Sequence, residues 1–484
     1  MDPLVITSAG RARGRWDAGV ARFLGVPYAA PPAGPLRFAA PAPPPSWDGV
    51  REFETYGPTA PQAGGDGPRI PGDEFLNLNV FTPELGAAGL PVIVWIHGGA
   101  FRAGGNASPW YDGTAFARDG VVFVAINYRL GVEGFLAPEG APPNLGVLDW
   151  VAALIWVRDN IAAFGGDPGN VTVGGQSAGG QAAATLLAVP RARGLFARVI
   201  DMSGGSITWE PLERAVEATR ALARHLGVRP TREALSGFEP GRLVAAYEEL
   251  GAAPRREEDS GSPLDAIFGA GGAKGFNPVN DGEIVRRSPY DMIRDGSAHP
   301  AALLIGTTSE EFNESMRSLP EIGERDYAEA LRRQEVDDEA RAFYEGRFGE
   351  PREVLGQVLT DRIFRVPAVR VAEAHAASGR PAYVYEFRWR SGANAGRAGA
   401  GHCVDLPFVF DTLAGNGVEG VCGEDPPQEL ATRMHAAWVA FADSGTPGWP
   451  AYREPERITM VFDTGSGLVE DPLRVERRLW PRVR

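Results

Sequence analysis

The stretch VTVGGQSAGGQAAATLLA, Val171 to Ala188, sets the reading of the whole chain. Strand-favouring residues (Val171, Thr172, Val173) come first, glycines next, and alanine-rich helix formers last. That order describes a strand passing through a tight turn into a helix. Ser177 stands at the turn, inside the pattern Gly175-Gln176-Ser177-Ala178-Gly179. A bare GxSxG pattern says little in a chain with 62 glycines, but the strand before it and the helix after it make it a nucleophile elbow. A serine on such a turn has strained backbone angles and an exposed hydroxyl. Its neighbours must be small because strand and helix come very close. The free N–H groups of the helix N-terminus face the charge that would develop there.

Upstream, VIVWIHGG (Val92 to Gly99) reads as a buried strand entering a glycine turn, and VVFVAINYRL (Val121 to Leu130) as the next strand. LDWVAALIWVRDNIAAF, between Gly146 and Phe164, has helical spacing. Arg198 to Met202 and Ala301 to Ile305 read as further strands. Short apolar runs alternating with helical stretches predict an α/β fold, a mostly parallel sheet covered by helices. Residues 209–260 differ, being charged and helical in period, and end in RREEDSGS (Arg255 to Ser262), expected as a solvated loop. The expectation is a helical cap over a site built elsewhere, an insertion at about 205–270 in a single unit spanning 1–484.

Composition narrows the function. Apolar residues make up 44% and charged residues 23% of 484 positions, which excludes a disordered or collagen-like chain. No apolar run reaches membrane-spanning length. A net charge of −14 disfavours nucleic acid and anionic membranes as partners. Cys403 and Cys422 are too few for a disulfide framework and wrongly spaced for a zinc site. The N-terminal MDPLVITSAG carries no secretory pattern, so the expected setting is reduced and cytoplasmic. Lys274 is the only lysine, which together with the Gly, Ala and Pro content reflects a GC-rich genome rather than a function.

His97-Gly98-Gly99-Ala100-Phe101 follows a buried strand, as the HGGG-type segment of lipases and esterases does. Glycines there let backbone N–H groups face a substrate carbonyl oxygen. The expected oxyanion-hole donors are the N–H groups of Gly99, Ala100 and Ala178. His97, at the end of the strand, is expected to brace the loop rather than act as a base.

Taken together these segments resemble the type-B carboxylesterase family, a group that includes cholinesterases, bile-salt lipases and para-nitrobenzyl-type esterases. FLGVPYAAPPAGPLRFAAPAPPPSW (Phe23 to Trp47), DEFLNLNVFTP (Asp73 to Pro83), NYRLGVEGFL (Asn127 to Leu136) and the run from Asn144 to Gly180 carry the resemblance. FNPVNDG (Phe276 to Gly282), YVYEFRW (Tyr383 to Trp389) and HAAWVAFADSGTPGWPAY (His435 to Tyr452) extend it to nearly full length. It implies an α/β-hydrolase fold, a Ser-His-Glu triad and ester hydrolysis through an acyl-enzyme, with no metal or organic cofactor and a small-molecule ester as partner. GAGHCVDLPFVFD (Gly399 to Asp411) resembles the family's histidine segment and places the base at His402. IGTTSEEFN (Ile305 to Asn313) resembles the acid segment and places the acid at Glu311, with Glu310 as second choice. The chain order Ser, acid, His is the one such hydrolases use. Phe101 and Phe312 are expected to line an apolar acyl pocket.

Three departures carry information. Phe75 stands where secreted relatives often have a disulfide cysteine, and no counterpart of the choline-binding tryptophan occurs between Gly57 and Asp73. Gln176 stands where glutamate is common before the nucleophile, removing a negative charge near the base. The same triad serves amidases, carbamate hydrolases and thioesterases, and some relatives are non-catalytic binding or adhesion proteins. Those readings stay beside the esterase one at this point.

Overall fold

The structure, a computed structural model, describes residues 2–64, 67–86, 89–205, 207, 209–252 and 276–481. Fourteen strands are found among them. Three form a small N-terminal sheet: β1 (Leu4–Ile6), β2 (Arg11–Arg13) and β5 (Val50–Glu52). The other eleven are β3 (Arg15–Asp17), β4 (Val20–Pro27), β6 (Asn77–Thr82), β7 (Leu90–Ile96), β8 (Val122–Ile126), β9 (Gly166–Gln176), β10 (Arg198–Met202), β11 (Ala302–Thr308), β12 (Ala382–Phe387), β13 (Ile458–Phe462) and β14 (Gly467–Glu470). They lie in the order β14-β13-β12-β11-β10-β9-β7-β8-β6-β4-β3. Strands β13 through β8 in that order are mutually parallel, and the edges on both sides are antiparallel.

Buried on both faces, the parallel strands are almost unbroken apolar runs. Val92 to Ile96 and Val122 to Ile126 are buried throughout. Helix Leu145–Asn160 shows no clean polar face either, since twelve of its sixteen residues are buried in the layer against the sheet. This is the α/β-hydrolase arrangement.

The strand expected over Val121 to Leu130 stops at Ile126. Beyond it the side chains take the backbone elsewhere. Asn127 Nδ2 donates to Pro58 O (3.1 Å) while its Oδ1 accepts from Asn106 N (2.7 Å). The fully buried Arg129 forks onto Asp149 through Nε (2.8 Å) and Nη2 (2.7 Å). Helices Glu213–Leu226, Arg232–Ser236 and Pro240–Ala252 fill the charged region. The expected loop Arg255 to Ser262 lies outside the described residues.

The chain runs β7 to β8 on one side and then returns to place β9 on the other side of β7. A crevice opens at the carboxyl ends of strands where the order reverses, and ligands of open α/β sheets bind there. The ends are level: Ile96 pairs with Gly175, Gln176 with Met202, and Met202 with Gly306. His97, Ser177, Ser203 and the Ser309–Glu311 turn therefore emerge side by side.

Candidate active site

Ser177 joins β9 to helix Ala178–Leu186 with φ 57° and ψ −126°, a strained conformation for a residue with a side chain. Both glycines of the pattern are required by contact. A Cβ on Gly175 would strike the Gly179 backbone, and one on Gly179 would strike Ile96 O. Two hydrogen bonds fix the turn, Ser177 N to Met202 O (2.8 Å) and Gln181 N to Ser177 O (3.0 Å).

The glycine turn after β7 faces the elbow, and a Cβ on Gly98 would come within 3.3 Å of Ser177 Cβ. Gly99, Ala100 and Phe101 all have positive φ (109°, 54° and 56°), a coil closed by Arg102 N and Ala103 N donating to Gly99 O. Among the described residues the N–H groups of Gly99 and Ala100 meet no acceptor. Ala178 opens its helix, where N–H groups have no partner in the helix itself. His97 is buried, stacks on Tyr128 (4.6 Å between centroids) and holds Gly98 O at 2.7 Å from Nδ1. Burial pushes its pKa down to about 4, with the Gly98 contact opposing, so it stays neutral in its bracing position.

Across the crevice His402 Nδ1 lies 2.5 Å from Glu311 Oε2, and Thr308 N donates to Glu311 Oε1 (2.8 Å). The carboxylate side chain has no exposed surface. Burial works to lower the His402 pKa, but Cys403 and Glu311 outweigh it and hold the imidazole well above its ordinary value; the upward direction rests on the Glu311 carboxylate at contact distance. His402 Nε2 points at the elbow, 3.3 Å from Gln176 Nε2.

The neighbouring glutamate is occupied differently. Glu310 is clamped by Arg317 (2.8 Å) and Arg390, while its backbone N donates to Ala400 O (3.0 Å), tying the acid turn to the histidine loop. Four of the other histidines have partners of their own. His299 contacts Val189 O (2.6 Å), His375 Ala301 O (2.9 Å), His435 Val409 O (2.7 Å) and His225 Glu249 (2.7 Å).

Phe101, expected to line the pocket, is fully buried among Phe135, Trp150 and Trp209; its ring packs the core beneath the oxyanion turn instead of facing the crevice. Phe312 is half-buried and meets Phe364 (5.6 Å), whose ring in turn flanks His402 (5.2 Å). Phe364 belongs to a π-helical turn, Thr360–Arg365, of the kind that often marks functional sites. No local motif announces it.

Two buried acids lie behind the site. Asp201 accepts from Gly204 N (2.9 Å) and abuts Gly180, whose Cβ would sit 2.5 Å from Asp201 Oδ1; burial pushes its pKa up to about 7. Asp405, three residues after His402, accepts from the Tyr385 hydroxyl (3.1 Å) and is pushed up to about 7 by burial and by Glu311. Both were readable as charges in apolar segments. Cys403 and Cys422 are free thiols.

A profile described as the carboxylesterase family matches residues 1–464. The chain is 35% identical to the para-nitrobenzyl esterase of Bacillus subtilis, over 99% of this chain and 98% of the relative. It is 36% identical to a phenmedipham hydrolase of Pseudarthrobacter oxydans, over 98% and 97%. A crystal structure of a Geobacillus stearothermophilus carboxylesterase superposes with a TM-score of 0.87 at 37% identity, over 99% of this chain and all of that one.

Proposed function

The chain belongs to the carboxylesterase family and is a carboxylic ester hydrolase, and we propose that it works by a Ser177-His402-Glu311 triad. The observation that carries the reading is the 2.5 Å contact between His402 Nδ1 and the fully buried Glu311, with His402 Nε2 turned toward the nucleophile elbow. Glu311 holds the proton on Nδ1, which makes Nε2 the accepting nitrogen, the one the Gln176 amide meets in this structure. Ser177 attacks the ester carbonyl while His402 Nε2 takes its proton. The oxyanion is received by the N–H groups of Gly99, Ala100 and Ala178, each worth about 3–4 kcal/mol of transition-state stabilisation. The alcohol departs with the proton from His402, and water then attacks the acyl-enzyme by the same route in reverse.

Phe364 and Phe312 form the apolar flank of His402 and favour small or medium uncharged acyl groups. Phe101 supports the oxyanion turn from below. A single catalytic unit over residues 1–484, with a helical insertion at about 205–270, and a cytoplasmic setting with both thiols free complete the proposal. Among the described residues no helix is long and apolar enough to cross a membrane.

Hydrolysis of para-nitrophenyl acetate, butyrate and octanoate by wild type and Ser177→Ala tests the reading. Wild type should turn over the short esters best, and the variant should lose about 10⁶-fold in kcat. An unchanged variant, or a wild type inert toward all three, would overturn it. Turnover of an amide, carbamate or thioester in their place would assign the same triad to another acyl group.

A further inference from the structure

A second cleft, of about 630 Å³, opens beyond the acid turn at the carboxyl ends of β11, β12 and β13. It is lined by charged side chains and by Phe343 and Phe348. Three of its carboxylates are already filled: Glu386 by Arg365 (2.5 Å) and Arg388 (2.5 Å), Glu310 by Arg317 and Arg390, and Asp361 by Gln357 (2.9 Å), Tyr344 (2.8 Å) and Arg365. Asp463 caps its own turn at Thr464 N (2.7 Å). Glu476 is buried and lies 3.5 Å from Arg347; burial and Asp361 both push its pKa up, toward the neutral acid.

N–H donors remain open on its arginines. Among the described residues Arg388 uses Nε and Nη2 but not Nη1, and Arg390 is engaged through Nη1 alone. Arg347 makes a long contact to Glu476 and lies over the Phe348 ring (5.6 Å to its centroid), and the buried Arg365 leaves Nε without an acceptor. The side chains of Arg347 and Arg390 are more than half exposed, so their free N–H groups are open to a ligand. A planar fork of N–H donors matches a carboxylate in geometry and charge.

We propose that this cleft binds an organic monocarboxylate, its oxygens held by the guanidinium groups of Arg347, Arg388 and Arg390 and its apolar body against Phe343 and Phe348. Carboxylates of this kind are the acid products an ester hydrolase releases. The cleft also borders the catalytic machinery. Ser309 and Glu310 on its wall immediately precede Glu311, and Asp361 and Arg365 bracket Phe364, which flanks His402.

Calorimetric titration of benzoate into the full-length protein, untreated and after treatment with a fluorophosphonate, tests this. Benzoate should bind both forms, and the double substitution Arg347→Gln with Arg390→Gln should weaken binding at least tenfold. Arg347→Gln alone should keep Tm and basal ester turnover at wild-type levels, and each single variant should give an intermediate loss. Benzoate binding that the arginine variants do not alter, or that vanishes when the serine is blocked, would overturn the proposal. So would binding of inorganic phosphate with none of benzoate. Failure of the triad reading shows separately, as absence of fluorophosphonate labelling.

Discussion

The two sides of the proposed catalytic crevice are built by different physics. The nucleophile side, Gly98–Phe101 and Gly175–Gly180, contains no ionisable side chain and works through backbone shape. Positive φ angles at Gly99, Ala100, Phe101 and Ser177 turn N–H groups and a hydroxyl into the crevice, and the room for this comes from missing Cβ atoms. The acid–base side is a set of buried charges in which neighbours decide roles. Glu310 and Glu311 are adjacent and chemically identical. Two arginines neutralise the first, and a backbone N–H with an imidazole receives the second. Shape is specified locally, whereas charge is specified by whatever the fold brings near.

The strongest way to break this contrast is to exchange the two glutamates' fates. Glu311→Gln should lower kcat by about 10³–10⁴, because the imidazole loses the group that fixes its tautomer and stabilises its charged form. Glu310→Gln should leave kcat within a few-fold while costing some thermal stability. Steady-state kinetics and a melting curve on both variants decide it, and equal kcat losses would dissolve the distinction.

On the shape side, Gly179→Ala introduces a Cβ into Ile96 O, a backbone atom with no flexible end to move. We expect a drop of about 1–3 kcal/mol in stability, together with loss of activity, from calorimetry and ester turnover. Ala182→Gly, one turn further along the same helix, should cost about 1 kcal/mol or somewhat more and spare activity.

Gln176 sits where the two sides meet, its amide 3.3 Å from His402 Nε2. Gln176→Glu would add a negative charge beside an imidazole that is already held above its ordinary pKa. The proposed mechanism needs neutral His402, so the acid limb of kcat/KM should move to higher pH by about 1 unit. Activity above that limb should change little. A limb that stays in place would show that Gln176 does not sense the base.

The smallest effect concerns Asp201. Its folded pKa, about 7, lies above that of a free aspartate, so the folded state holds a proton that the unfolded chain has released between about pH 4 and 7. The resulting stabilisation is present below pH 4 and is lost as pH rises through 7. Asp201→Asn keeps the acceptor for Gly204 N without the titration. It should raise Tm at pH 8 and leave it nearly unchanged at pH 4.

This contrast also explains what could be read in advance. The elbow and the oxyanion turn were legible because each lies within about ten consecutive residues whose small size and order state the geometry. Glu311 and His402 are 91 positions apart and share no local pattern; only the resemblance of IGTTSEEFN and GAGHCVDLPFVFD to family segments joined them. Phe364 could not be seen, since an apolar residue in a helical stretch reads as core. The place of Phe101 after the glycines suggests the pocket, but its positive φ turns the ring into the aromatic cluster of Phe135, Trp150 and Trp209. The strand from Val121 ended early because Asn127 and Arg129 had partners far along the chain.

The most direct test of the central claim is peptide mapping of the protein after reaction with a fluorophosphonate. The account predicts one adduct, on Ser177, formed far more slowly in His402→Gln and absent in Ser177→Ala. An adduct on another residue, or none on a folded wild type, would contradict it.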